Sequence, residues 1–226
     1  MKLSVIVLSR NGKVETKILQ SLKFADEIII WGEKEYHFQD FAKHRNEALR
    51  RARGEWVLFV DDDEYVSTEL AQEILHAINS DKYVGYFLPR LDLVFHDLQK
   101  HGEVGNIKIL RLAKKSAGKF VRPVHEHWQI DGKIGNLQNA LYHLKDDFIS
   151  QFIGRMNHYG PVDAQILTQE NKPYSIFRLL FYPKAKFFLN YFWRLGFLDG
   201  YPGLFQAYLM SVQSLTVRVF QWEQVK

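Results

Sequence analysis

The 226-residue sequence contains no cysteine, which removes disulfides, thiolate metal sites and cysteine nucleophiles together and fits a cytoplasmic location. It also lacks a long apolar run. The opening MKLSVIVLSRNGK is too short in its apolar stretch for a secretory signal and reads as a first strand, so no export is implied. The apolar tail, FRLLFYPKAKFFLNYFWRLGFLDG followed by YPGLFQAYLMSVQSLTVRVF, is broken by charge, Pro and Gly before reaching the roughly 20 residues of a spanning helix. Neither GxGxxG nor GxxxxGKS occurs, so the usual phosphate loops are missing. With a net charge of only +4 and no groove-binding Lys/Arg tract, nucleic acid is not expected as a partner.

What is present is the composition of a folded protein, 46% hydrophobic and 25% charged, long enough for a compact domain plus an appendage. We expect a catalytic domain over residues 1–145 and a helical segment over 146–226. Aromatic residues make up 15% of the chain and crowd the stretch after Tyr174. Between Lys172 and Arg194 the cations Lys172, Arg178, Lys184, Lys186 and Arg194 occur with no acid among them. That mixture suits a helical segment lying on a membrane surface, peripheral on its cytoplasmic side. Packing on the core or on another subunit is the alternative.

From Leu3 to Leu88 strand and helix signals alternate. Apolar runs at Leu3 to Leu8, Glu27 to Trp31, Glu55 to Val60 and Tyr83 to Leu88 read as strands. Helical spacing links Val14, Ile18, Leu19 and Leu22, then Phe41, Arg45, Ala48, Leu49 and Ala52, then Leu70, Ile74, Leu75 and Ile78 behind a Ser67 cap. The pattern predicts an α/β, Rossmann-like, mostly parallel sheet with helices on both faces, whose ligands sit beyond the carboxyl ends of the strands. From Arg90 to Lys145 shorter signals, with a strand at Ile107 to Leu112, suggest an antiparallel extension.

The third strand runs into Asp61, Asp62, Asp63 and Glu64. Adjacent carboxylates repel one another unless a cation or water intervenes. In an extended segment Asp61 and Asp63 share a side, opposite Asp62, and such a pair suits Mg²⁺ or Mn²⁺ completed by diphosphate oxygens. The plainer reading is a solvated loop that also begins the next helix. Position after a buried strand favours the metal site.

The run AKHRNEALRRARGEWVLFVDDDEYVS resembles glycosyltransferase family 2, the inverting transferases of the GT-A fold, with its Arg-Asn helix, Ala-x-Gly-Glu turn, apolar strand and DxD motif. SVIVLSRN is similar to the family's first strand and nucleotide-contacting loop. PVHEHW, NALYHLKD and GFLDGYPG resemble the subgroup of lipopolysaccharide-core glucosyltransferases. The resemblance implies a nucleotide-sugar donor, a UDP-sugar in the first place, and a glycan or lipid-linked acceptor of the cell envelope. It assigns the donor to Ser9, Arg10, Asn11, Arg45, Asp61 and Asp62, the metal to Asp61 and Asp63 with His143 as an added ligand, and the catalytic base to Glu126. Two departures stand out. Trp31-Gly32-Glu33-Lys34-Glu35 replaces the family's base-binding Asp stretch, with Glu33 as a substitute, and Arg10-Asn11-Gly12 lacks the acid that commonly follows the Asn.

His125, Glu126, His127 and His143 also invite a zinc reading, but the HExxH helical spacing is absent. Arg90 and Arg111 flank the acceptor side, as phosphate or sugar contacts or as ordinary surface salt bridges. His101-Gly102 suggests a mobile loop over the site. Two other functions fit the pattern: a nucleotidyltransferase, for which Ser9 to Lys13 offers too little glycine and charge, and a catalytically silent sugar-binding or membrane scaffold, which has no need of the carboxylates.

Overall fold

The computed structural model describes residues 1–9, 11–32, 41–105, 107–122, 126–145 and 147–226. In chain order its elements are β1 (Leu3–Leu8), α1 (Thr16–Ser21), β2 (Glu27–Trp31), α2 (Phe41–Arg51), β3 (Trp56–Asp61), β4 (Glu64–Val66), α3 (Thr68–Ala77) and β5 (Gly85–Val94). There follow β6 (Asp97–Gln99), β7 (Ile107–Lys114), β8 (Gly118–Val121), β9 (His127–Ile130), β10 (Ile134–Asn136), β11 (Leu141–Lys145), α4 (Phe148–Gln169), α5 (Ile176–Phe188) and α6 (Gly200–Glu223). Two compact units result: residues 1–91 with 107–144, and residues 92–106 with 145–226.

In the first unit β1 lies between β2 and β3 and is parallel to both. The chain needs a continuous apolar run there because both faces of a parallel sheet are covered. Val5, Val7, Trp56, Leu58 and Val60 pack with α1 and α3 through Ile18, Leu22, Leu70 and Ile74. Their alternate neighbours Ile6, Val57 and Phe59 pack with α2 through Ala42, Ala48 and Leu49. Two cores, one per face, follow directly from the period-two alternation of side chains along each strand.

Beyond β3 the sheet turns antiparallel, with β7 pairing antiparallel to both β3 and β5, in the order β2-β1-β3-β7-β5-β11-β4. The fold is therefore α/β of the GT-A type, with a parallel core and the antiparallel extension that the short signals after Arg90 suggest. The strand expected at Tyr83 to Leu88 runs instead from Gly85 to Val94, straight through Pro89. It carries a register shift between Tyr86 and Phe87 against β7. Ser67 caps α3 as expected, accepting from the Leu70 N–H at 3.2 Å.

β8 and β9 form a separate two-stranded sheet. Phe120 stacks on Trp128 at 4.9 Å, and both meet Phe59 edge-on. Asn46 on α2 clamps the backbone of Phe120 in both directions, each bond 2.9 Å. β8 is thus fixed against α2, one residue from Arg45.

In the second unit α6 packs against α4 and α5. The end of β5 turns at Phe95 and His96, both at positive φ, and pairs with β6. Asp92 and Lys145 form a buried ion pair at 2.5 Å. Asp199 accepts from the N–H groups of Lys100 and His101 and lies 2.6 Å from the His101 ring. The His101-Gly102 stretch, expected as a mobile loop over the site, is instead tied into the helical unit by three contacts to one carboxylate. The GFLDGYPG motif provides that carboxylate. Its Gly203 faces Gly196 so closely that a Cβ would lie 1.9 Å from the Gly196 oxygen, which no side chain tolerates. Among the described residues no helix is long and apolar enough to cross a membrane.

Candidate active site

Asp61 is the last residue of β3, where the buried apolar run stops. Its Oδ2 accepts from Nη2 of Arg111 on β7 at 2.6 Å, and its Oδ1 lies 3.5 Å from Nη2 of Arg45 on α2. Burial pushes the Asp61 carboxyl up, but the attraction of Arg111 and then of Arg45 outweighs it and holds the group well below the usual carboxylate range. Arg45 also donates from Nε to Oε1 of Glu126 at 2.9 Å. Its guanidinium sits over the rings of Phe59 and Phe120, so the aromatic cluster of the second core forms its floor. Burial, then Arg111, lowers its pKa, while Asp61 and Glu126 raise it. An arginine stays charged under such pressure.

The backbone turns immediately after Asp61. Extended alternation would put Asp61 and Asp63 on one side. The tight turn at 62 and 63 instead gives them different partners, and Oδ2 of Asp63 lies 3.1 Å from Nε2 of His143 on β11. Glu64 swings back under the turn, fully buried, with Oε2 accepting from the Asp61 N–H at 3.0 Å. Its Oε1 has no hydrogen bond and lies 3.9 Å from both Arg90 and Arg111. Burial, and then the Asp61 charge, raise its pKa. The repulsion among these acids is relieved in large part by arginines, so the energetic case for a cation narrows to Asp63 and His143.

Arg90 and Arg111 are not surface salt bridges. Arg111 is a buried partner of Asp61, a contact that neighbouring residues in the sequence do not reveal because it depends on β7 lying beside β3. Arg45, Arg111 and Glu126 line a cavity of about 550 Å³ whose walls include Phe87, Phe120 and Trp128. Size and lining, mostly apolar with a few convergent charges, are those of a ligand site.

Among the residues expected to bind the donor, Ser9 is buried, and its hydroxyl donates to the Lys13 carbonyl at 2.8 Å and lies 3.2 Å from Oδ1 of Asn11. Asn11 in turn accepts from the Lys13 N–H. These side chains shape the loop after β1, and the Asp62 N–H donates to the Leu8 carbonyl beside it. Gly32 approaches this loop so closely that a Cβ would meet the Ser9 oxygen at 1.6 Å. Arg10, Glu33, Lys34, Glu35 and His125 lie outside the described residues. Among the described residues no group of three His, Asp or Glu side chains is placed to hold a metal ion. The expected set of Asp61, Asp63 and His143 therefore divides, because Asp61 is held by two arginines. What remains, an Asp63 carboxylate that is 43% exposed with an imidazole nitrogen beside it, still fits Mg²⁺ or Mn²⁺, which takes one or two protein ligands and fills its shell from phosphates.

The span from α1 to the first residue of β8, residues 16–118, matches the model of glycosyl transferase family 2. The match covers a little under half of the chain. Asp61 and Arg45 fall within the matched span, whereas Ser9, Asn11, Glu126 and His143 fall outside it. The chain is 28% identical over 170 residues to an uncharacterized glycosyltransferase of Rickettsia felis, covering 70% of this chain and 60% of that protein. It is 25% identical over 189 residues to the lipopolysaccharide core biosynthesis glycosyltransferase LpsC of Rhizobium meliloti, covering 78% of this chain and 69% of that protein. The aligned part thus spans about six-tenths of the length of the Rickettsia relative. S. aureus TarS 1–349 in complex with UDP-GlcNAc superposes at a TM-score of 0.45 and 17% identity, covering 100% of this chain and 93% of that one. A superposition that loose assigns no residue equivalences.

Proposed function

We propose that the protein transfers a sugar from a nucleotide-sugar donor, a UDP-sugar in the first place, to a hydroxyl of a lipid-linked or cell-envelope glycan, inverting the anomeric centre. One observation carries this reading: in a chain whose residues 16–118 match a transferase family, Glu126, Arg45, Asp61 and Arg111 form one unbroken line of ion pairs, three of them at the wall of the 550 Å³ cavity. Likeness to a protein named for lipopolysaccharide core biosynthesis supports the choice of acceptor. A cytoplasmic setting agrees with the absence of cysteine.

In this reading Glu126 takes the proton of the acceptor hydroxyl as the oxygen attacks the anomeric carbon, and the bond from that carbon to the diphosphate oxygen breaks. Arg45 holds the Glu126 carboxylate in place through its Nε. Nη1 of Arg45 is buried without a hydrogen-bond partner and is a donor for a leaving-group oxygen. Asp63 and His143 would hold Mg²⁺ or Mn²⁺, which neutralises charge on the diphosphate when bound. Asp61, pinned by Arg111, keeps the end of β3 in place.

The test is release of nucleoside diphosphate from a panel of nucleotide sugars, each with Mn²⁺ and an extracted envelope glycan as acceptor. Acceptor-dependent release from one donor is expected. A folded protein that turns over none of them overturns the reading.

A further inference from the structure

α5 and the turns after it expose far more apolar surface than a helix facing water carries. Phe177, Phe181, Phe188 and Trp193 are 60%, 51%, 59% and 78% exposed. Phe177, Phe181, Lys184, Phe188 and Phe192 follow one another at intervals of three or four, so they share one helical face. A π turn at Leu189–Trp193 inserts an extra residue into the helical repeat, and both Phe192 and Trp193 stay outside. Leu198 and Tyr201, after the bend at Leu195, are also exposed, at 58% and 75%. Along the face lies an open notch of about 610 Å³ lined by Phe181, Lys184, Ala185, Phe188, Leu189 and Trp193. Lys184 is its only charged residue.

The charges narrow the choice of occupant. Lys172 is paired with Glu170, and Lys186 and Arg194 with Glu103. Lys184 has no acidic partner among the described residues. The only acid between 171 and 199 is Asp199, whose side chain is 4% exposed and held by His101. The face is therefore aromatic and cationic, with no anion of its own. Two copies meeting on it about a two-fold axis would bring like charges together. An anionic lipid surface supplies the missing charge, takes aromatic rings at headgroup depth, and requires no helix to cross.

We infer that this face of α5 and the following turn docks on an anionic membrane, with Phe188 and Trp193 inserted among the acyl chains and Lys184 at a headgroup phosphate. The inference rests on this surface alone and not on the transferase reading.

The experiment is flotation of the full chain with phosphatidylcholine vesicles made with and without phosphatidylglycerol, at low and high salt. The wild type floats with the anionic vesicles at low salt and is released by salt. Lys184→Glu, a change of two charge units at about fivefold each, weakens binding by roughly 25-fold. The pair Phe188→Ser and Trp193→Ser, both exposed, weakens it by at least about tenfold while circular dichroism and Tm stay at wild-type values. A wild type that stays at the bottom of the gradient with anionic vesicles overturns the proposal, as does binding that these variants leave unchanged. So does a concentration-dependent dimer in sedimentation that the same variants abolish without any vesicle binding, which assigns the face to a second copy.

Discussion

Arg45 donates from Nε to Oε1 of Glu126 at 2.9 Å across 81 residues of sequence. Both side chains are largely buried, at 9% and 19% exposure, so the pair is screened little by salt. Its consequence is geometric: the bond fixes the orientation of the facing carboxylate. Glu126→Gln preserves shape and removes the acceptor. Transfer rate should fall by about 10² to 10⁴-fold with the KM for donor near wild type, and the Tm should fall as well because buried Arg45 loses one of its two carboxylates, read from initial rates with labelled donor and a melting curve.

Asp61 and Arg111 form the tightest pair of the site. Asp61→Asn leaves a buried guanidinium without its counter-charge and should destabilise the fold by about 3 to 5 kcal/mol, measured by urea denaturation. Replacing both residues together by Asn and Met should cost less than the single change, because no charge is then left unpaired.

The same group sets a pH dependence. Its folded-state pKa lies below the unfolded value of about 3.9, so its contribution is complete above about pH 4 and is lost as pH falls through the folded value. Glu64 runs the other way. Its raised pKa means that stability is lost as pH rises above about 4.3. Glu64→Gln should therefore gain on the wild type as pH rises above about 4.3, and Tm measured against pH for the two proteins checks it.

Metal dependence should follow Asp63 rather than Asp61. With Asp63→Asn or His143→Gln, the Mn²⁺ concentration for half-maximal transfer should rise by about 10- to 100-fold, while the metal-free melting temperature changes little for the exposed Asp63. A Mn²⁺ titration of the transfer rate provides the measurement.

Much of the fold was legible in sequence because its central strands are buried on both sides. A strand between two cores must be apolar throughout, and Leu3–Leu8 and Trp56–Asp61 are. Helix boundaries came from the spacing of Ile18, Leu70 and Ile74 and from the Ser67 cap. The discontinuous second unit was not legible, since residues 92–106 join it through contacts distant in sequence, such as Asp92 to Lys145 and Asp199 to His101, that no local pattern announces. The site was legible as a set of residues and not as a set of pairs. Asp61, Glu126 and Arg45 stand out by motif, but which carboxylate meets which arginine is fixed by strand order and by the tight turn after β3. The extended geometry that puts Asp61 and Asp63 on one side is reasonable for a strand and fails at a turn.

The aromatic floor beneath Arg45 is open to a stability test. Trp128, 3% exposed and stacked on Phe120, should cost about 3 to 5 kcal/mol when replaced by Ala. Asn46→Ala, which frees the Phe120 backbone, should cost about 1 to 3 kcal/mol. Denaturant midpoints of the two variants give both values.

The central claim, that this site takes a nucleoside diphosphate-sugar, is tested most directly by calorimetric titration of UDP into the protein with and without Mn²⁺, for the wild type and for Asp63→Asn. The account predicts saturable binding that Mn²⁺ tightens by tenfold or more in the wild type and barely changes in the variant. Folded wild-type protein that binds neither UDP nor any other nucleoside diphosphate, at any Mn²⁺ concentration, would contradict it.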